Sequence, residues 1–157
     1  MNLQTRRLSL ATLLCGAVFA AAAQSTGPYD ETADAKQQIE QALADAAQAR
    51  VPLLVVFGAN WCGDCTVLDL AFKTGSVAPL MAQRFRVVKV NVGRFDRNTD
   101  IAARYGVPLK AGIPAVALLS TTGQVVYASQ AGELADARTM GDAGIHQFFT
   151  KLAIQAR

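Results

Sequence analysis

Leu53-Leu54-Val55-Val56-Phe57-Gly58-Ala59-Asn60-Trp61-Cys62-Gly63-Asp64-Cys65 joins three kinds of sequence in one short stretch. Leu53 to Phe57 is a continuous apolar run rich in valine, the pattern of a strand buried on both faces. Gly58-Ala59-Asn60-Trp61 interrupts it as a loop, and residues 62–73 read as a helix. The two cysteines therefore open a helix. Unpaired backbone N–H groups and the positive end of the helix dipole favour a negative sulfur there, which makes Cys62 the candidate nucleophile. Cys65, one turn in, is close enough to attack a mixed disulfide and release the product, which makes it the candidate resolving thiol.

Three other uses of the pair compete with this one. Zinc would need about four ligands, and beyond these two sulfurs the chain offers only His146. Covalent haem would want a histidine directly after the second cysteine, where Thr66 stands. A structural bridge closing so short a loop removes little entropy from the unfolded chain, so stability is a poor reason for it. Trp61 before the pair, a strand ahead and a helix behind favour redox chemistry.

Upstream, residues 30–50 are rich in alanine, glutamine and alternating charge, without glycine or proline, and read as a helix ended by Pro52. Asp30 or Thr32 is its expected N-cap, with Ile39, Leu43 and Ala46 or Ala47 facing a core. Downstream, 79–84 continues the helical region after a break at Gly75, 85–92 reads as a strand, and 99–105 as a helix ended by Gly106. Residues 115–119 and 125–128 are strands joined by the turn Thr121-Thr122-Gly123-Gln124, and 142–155 is a last helix. Strands alternating with helices predict a parallel core, to which the terminal hairpin adds an antiparallel edge.

The chain has 157 residues, enough for one domain, and is 52% hydrophobic. Part of that excess lies at the start. Arg6 and Arg7 precede the apolar run 8–22, then come the small residues Ala20 to Ala23 and the polar Gln24 and Ser25. This is the three-part pattern of a secretory signal peptide, shorter than the roughly 20 residues a spanning helix needs. The expected organisation is a signal peptide over 1–23 and one domain over 24–157, not membrane-embedded once mature. Cys15 has Leu14 before it and Thr12 three residues before it, which does not fit a lipid-attachment site, so it leaves with the leader. The formal charge of +3 falls to +1 without Arg6 and Arg7. No surface basic enough for a phosphate backbone is implied, which argues against nucleic acid as a partner.

With these motifs in hand, the sequence resembles the thioredoxin superfamily, as an exported, periplasmic-type member, over about 51–156. Val87-Val88-Lys89-Val90-Asn91-Val92 is similar to the family's second core strand. Tyr105-Gly106-Val107 and Gly112-Ile113-Pro114 are similar to its approach to a cis-proline. The resemblance implies a thioredoxin-like α/β domain, a central mixed sheet flanked by helices with the cysteines at a helix N-terminus. It also implies that Pro114 is cis and faces the cysteines, and that the backbone at Ile113 pairs with a client's extended chain. Gly132 would close the client groove, which Trp61, Gly63 and Asp64 border.

The departures are informative. The family often buries an aspartate under the second cysteine, where this chain has Val56. Lys89 matches the lysine that accompanies it, and reads as a solvated strand-end residue once the partner is gone. Asp64 replaces the usual proline. A carboxylate about 6 Å from the Cys62 sulfur would oppose the thiolate by about 0.7 kcal/mol in water and about 3 kcal/mol at an effective dielectric of 20. Turned to solvent, it would be a favourable first-turn acid. His146 reads as a surface or boundary residue, and 133–141 as either a specificity loop or a surface insertion.

The expected function is thiol–disulfide exchange with protein clients outside the cytoplasm, with no cofactor beyond the dithiol and a membrane-bound electron donor as a candidate partner. The alternative is a thioredoxin-fold chaperone or Cu(I)-handling module that grips its client through the same cysteines. The export reading has a direct test. Intact mass of the protein from its native compartment should correspond to a chain starting near Gln24, whereas a retained leader or a lipid on Cys15 would overturn the assignment.

Overall fold

Asp34, rather than Asp30 or Thr32, starts the first helix. In the computed structural model, which describes residues 27–156, the Asp34 carboxylate accepts the backbone N–H groups of Lys36 and Gln37 at 3.0 and 3.2 Å. Helix α1 then runs Ala35–Ala49. Asp30 closes a turn of its own by accepting the Thr32 N–H and hydroxyl, the local bonding that lets an aspartate compete with a helix. Ile39 and Ala46 are buried and Leu43 is half-buried. The helix stops at Arg50, whose φ of 56° turns the chain before Pro52 is reached. The expected leader, with Cys15 and Gln24, lies outside the described residues.

Strand β1 (Leu53–Gly58) is buried along its whole length, which is why its sequence alternates with nothing. Helices α2 (Gly63–Ala71) and α3 (Val77–Arg84) follow, then β2 (Arg86–Asn91) and the short α4 (Thr99–Arg104). A 3-10 turn at Leu109–Ala111 leads into the hairpin β3 (Ala115–Leu119) and β4 (Val125–Ala128), and α5 spans Ala137–Gln155. The sheet order is β2-β1-β3-β4.

Only the β1–β2 pair is parallel; β3 runs antiparallel to both neighbours. The parallel core expected from strand–helix alternation is thus confined to one pair. Residues 92–114 leave and re-enter at the same end of the sheet, so Ala115 pairs with Phe57, at the end of β1 where the cysteine loop begins. A helix between two strands does not by itself carry the chain to the far end, and α4 is too short to do so.

The sheet separates two apolar layers. Leu53, Val55 and Phe57 face α1 and α4, in a cluster that includes Cys62 and Cys65. Leu54 and Val56 face α3 and α5, with Leu68 of α2, Phe85 and Phe149. Each fully buried side chain of this size contributes about 1.5–3 kcal/mol relative to exposure. Gly141 breaks α5, with φ of 64° and ψ of 177°, so the long final helix begins at Asp142, as its sequence predicts, and 137–140 forms a separate turn. Asp142 in turn accepts the Ser76 hydroxyl at 2.6 Å and its N–H at 3.2 Å, tying that helix to the start of α3.

The cap assignment is testable by urea unfolding. Asp34→Ala should lower stability by about 1 kcal/mol, within the 0.5–2 kcal/mol typical of lost N-caps, and Asp30→Ala should change it much less.

Candidate functional site

The site lies where β1 ends. Gly58 hands the chain to Ala59 and Asn60, and the Asn60 amide binds the backbone of the N-terminal segment like a strand partner. Its Oδ1 accepts the Tyr29 N–H and its Nδ2 donates to the Tyr29 carbonyl, both at 2.9 Å. The Nδ2 group also reaches Glu31 at 2.9 Å. Tyr29 itself is buried in the cysteine-side core, and burial pushes its hydroxyl well above the usual tyrosine range. Trp61, held next in the chain, is half exposed. Its Nε1 donates to the Gly93 carbonyl at 2.7 Å, Phe95 meets its ring edge-on, and Arg94 lies 5.7 Å from the ring centroid.

Cys62 is the N-cap of α2. Its sulfur accepts the Cys65 N–H at 3.2 Å, the bond that a thiolate at this position would also receive. Cys62 and Cys65 form a disulfide. Cys62 is 6% exposed and Cys65 0%, so the first sulfur is the one a client can reach. The Ile113–Pro114 peptide is cis, and the Ile113 carbonyl oxygen lies 3.5 Å from the Cys62 sulfur. Ile113 and Pro114 therefore stand against the disulfide, as do Trp61, Gly63 and Asp64 around it. Gly132 has φ of 71° and lies hard against the Ala111 carbonyl, with Ala135 beside it. A side chain there would collide with the backbone leading into Gly112 and Ile113.

Asp64 is not turned to solvent. It is 7% exposed, and its Oδ1 accepts the Arg138 backbone N–H at 2.9 Å and the Arg138 Nε at 3.1 Å. Its Oδ2 pairs with Arg138 Nη2 at 3.0 Å. Burial alone would raise the carboxyl, but the Arg138 hydrogen bonds and charge outweigh that and hold it below its ordinary value of 3.8. The acid is thus ionised and clasped.

The segment 133–141 is a built part of the molecule. Leu134 and Ala137 are fully buried, and Glu133 accepts the Tyr127 hydroxyl and the N–H groups of Gln130 and Ala131. Arg138 projects from this segment onto α2. Its spacing from Asp64 along the chain gave no local signal that the two would meet.

Lys89 requires a correction. It is half-buried and ion-paired with Asp69 of α2, which also holds Lys73 at 2.8 Å. Loss of solvent lowers the Lys89 ammonium from its ordinary value. Val56, across the strand pair from Lys89, is 1% exposed. An acid one turn along α2 from Cys65 thus supplies the lysine's partner in place of one on β1. His146 is half-buried on α5. Among the described residues there is no cluster able to hold a metal ion and no helix long and apolar enough to cross a membrane.

Comparisons with known proteins agree with this geometry. A thioredoxin-like family profile matches residues 34–120. A solved structure of a disulphide isomerase from Xylella fastidiosa is 48% identical, with a TM-score of 0.78, and covers 80% of this chain and 96% of that one. Thioredoxin 1 of Chlorobaculum tepidum is 39% identical over 70 residues, which are 45% of this chain and 61% of the relative. Thioredoxin 1 of Synechococcus elongatus is 33% identical over 63 residues, 40% and 54% respectively. The matched stretch therefore spans little more than half the length of these curated relatives.

The Asp64 clasp has a pH signature. Because its folded-state carboxyl titrates below its unfolded value of 3.8, the stability it contributes is fully present above pH 3.8 and lost as pH falls further. Urea unfolding from pH 5 to pH 2.5 should show a steeper loss for the wild type than for Asp64→Asn; parallel curves would deny the clasp an electrostatic role. The family profile's match over residues 34–120, which hold the helix-capping disulfide, the Ile113–Pro114 turn and the strands β1, β2 and β3, makes this chain a member of the thioredoxin-like family.

Proposed function

We propose that the chain is a thiol–disulfide oxidoreductase acting on protein disulfides outside the cytoplasm, with Cys62 as nucleophile and Cys65 as resolving thiol. One observation carries the reading. The two sulfurs sit at the N-terminus of α2, bonded to each other, with the first slightly accessible beside Ile113 and the second fully enclosed. The likeness to a disulphide isomerase along nearly all of that protein supports it, and the leader pattern supports the compartment.

In the reducing direction, the Cys62 thiolate attacks one sulfur of a client disulfide. A Cys62–client bond forms, the client S–S bond breaks, and the second client sulfur leaves as a thiolate. Cys65, deprotonated, then attacks the Cys62 sulfur, which releases the first client sulfur. The client gains two electrons and its thiolates take up two protons, while the chain loses two electrons and ends as the disulfide seen here. The oxidising direction is the reverse. The sulfurs carry the electrons themselves, so no further cofactor enters the exchange. The client's extended chain lies along the Ile113 backbone and is bordered by Trp61, Gly63, Asp64, Pro114 and Gly132. A membrane-bound thiol donor resets the pair if reduction is the physiological direction.

Val56 cannot relay a proton to Cys65. Asp69 is committed to Lys89 and Lys73, so water or the departing client thiolate takes the Cys65 proton.

Trapping tests the order of events. Cys65→Ser should accumulate a mixed disulfide between Cys62 and its client, because the thiol that resolves it is gone. Cys62→Ser should form no adduct, and its insulin reduction should fall to background. Equal adducts from both variants would overturn the ordered exchange. No adduct from either, with no insulin reduction by the wild type, would leave the chaperone or Cu(I)-binding reading in its place.

A further inference from the structure

The charge between the two cysteines creates a problem that the fold answers from far along the chain. A thiolate forming on Cys62 is favoured by the N–H groups and dipole at the start of α2. Asp64, two residues on, opposes it, since an ionised carboxylate near a developing thiolate raises the energy of the charged sulfur. Asp64 is ionised here, because Arg138 holds it so. The Arg138 guanidinium lies over Gly63, between the two cysteines, where a Cβ would stand 3.5 Å from its Nη1. It also engages both oxygens of Asp64, through Nε and Nη2.

We propose that Arg138 is a positioning residue for the dithiol: by pairing Asp64 it offsets the negative charge that stands between the two cysteines in the chain, so that the helix start can stabilise the thiolate. The inference rests on the redox reading of the cysteine pair. It gives the segment 133–141 a purpose in that chemistry, since the segment's buried Leu134 and Ala137 anchor the arginine over α2.

Other charges lie on the elements around the disulfide: Arg94 is over the Trp61 ring, Glu31 is bonded to the Asn60 amide, Glu133 accepts the Tyr127 hydroxyl and the Gln130 and Ala131 N–H groups, Lys110 sits in the 3-10 turn before Ile113, and Asp69 pairs with Lys89 and Lys73 further along α2. Substituting Arg138 touches none of them. The backbone bond from the residue-138 N–H to Asp64 also survives a side-chain change, so the segment can stay docked while its charge is removed.

The experiment measures the pH midpoint of iodoacetamide labelling of Cys62 and the dithiol reduction potential in glutathione buffers, with thermal unfolding as the check on folding. Arg138→Gln should move the labelling midpoint up by about half a pH unit or more, roughly a threefold drop in thiolate at a given lower pH. The potential should become more negative, because the reduced state has lost thiolate stabilisation. Arg138→Lys, which restores the charge without the planar fork, should recover part of the shift. Asp64→Asn combined with Arg138→Gln should return the midpoint toward the wild type, since the opposing charge is then absent.

An unmoved midpoint and potential in Arg138→Gln, even with a lower melting temperature, would reduce the clasp to a structural tie and overturn the inference. A shift that persists in the double variant would also overturn it, since the effect would not then run through Asp64. Failure of the underlying reading looks different: the wild type itself would show no reversible two-electron couple.

Discussion

Strand β1 has no face of its own toward solvent. Leu53, Val55 and Phe57 are enclosed by one helical layer and Leu54 and Val56 by the other, while β2 and β3 take its backbone groups on either side. A strand held on four sides ends at a fixed place, and the residues after it inherit that precision. Gly58 to Trp61 form a short link, so the first turn of α2 can stand in only one position relative to the sheet. The disulfide is consequently placed by the core and not by its own bond. The chain before β1 locks the same loop from outside, with the Asn60 amide bonded to both backbone groups of Tyr29.

Charge is distributed around that position with few free terms. The helix start favours a negative sulfur, Asp64 opposes it, and Arg138 neutralises Asp64 from α5. Further along the helix Asp69 holds two lysines, one exposed and one half-buried. Apart from Arg138 and the exposed Lys73, these charges are largely withdrawn from water, where each interaction is stronger and a lost partner more costly than at the surface. The valine at position 56 belongs to the same economy. Val56 is packed in the apolar layer with α3 and α5, and the acidic partner of Lys89 stands on α2, where it reaches both the strand and Lys73.

The connection from β2 to β3 does the remaining work of assembling the site. It carries Gly93 and Phe95 against Trp61, then returns through Gly112 to Ile113 and Pro114 at the end of the sheet from which it left. That return makes β3 antiparallel and brings Ile113 to Cys62. Gly132 follows β4 at the same end, its positive φ and the nearby Ala111 carbonyl leaving no room for a side chain. Three loops from three strands thus converge on one pair of sulfurs.

Much of this was written locally. The apolar run 53–57, the cysteines at a helix start, the Gly-Ile-Pro turn and the hairpin at 121–124 are each decided by neighbours in the chain, through periodicity, capping and turn chemistry. The element types and their sequence followed from these, as did the choice of Cys62 and Cys65. Other features depend on residues far apart. Asp34 took the cap from Asp30 because Asp30 closes its own turn with Thr32, a competition between two adequate candidates that composition does not rank. The direction of β3 depended on where residues 92–114 re-enter the sheet, not on the helix within them. The partners of Asp64 and Lys89 were unreadable, since an ion pair between distant positions leaves no periodic trace, and a charged residue beside a strand looks solvated until something packs over it. Sequence alone therefore determined the dithiol and the scaffold that presents it, because those are local; the tertiary fold decided which charges meet around it, because only packing brings Arg138 to Asp64 and Asp69 to Lys89.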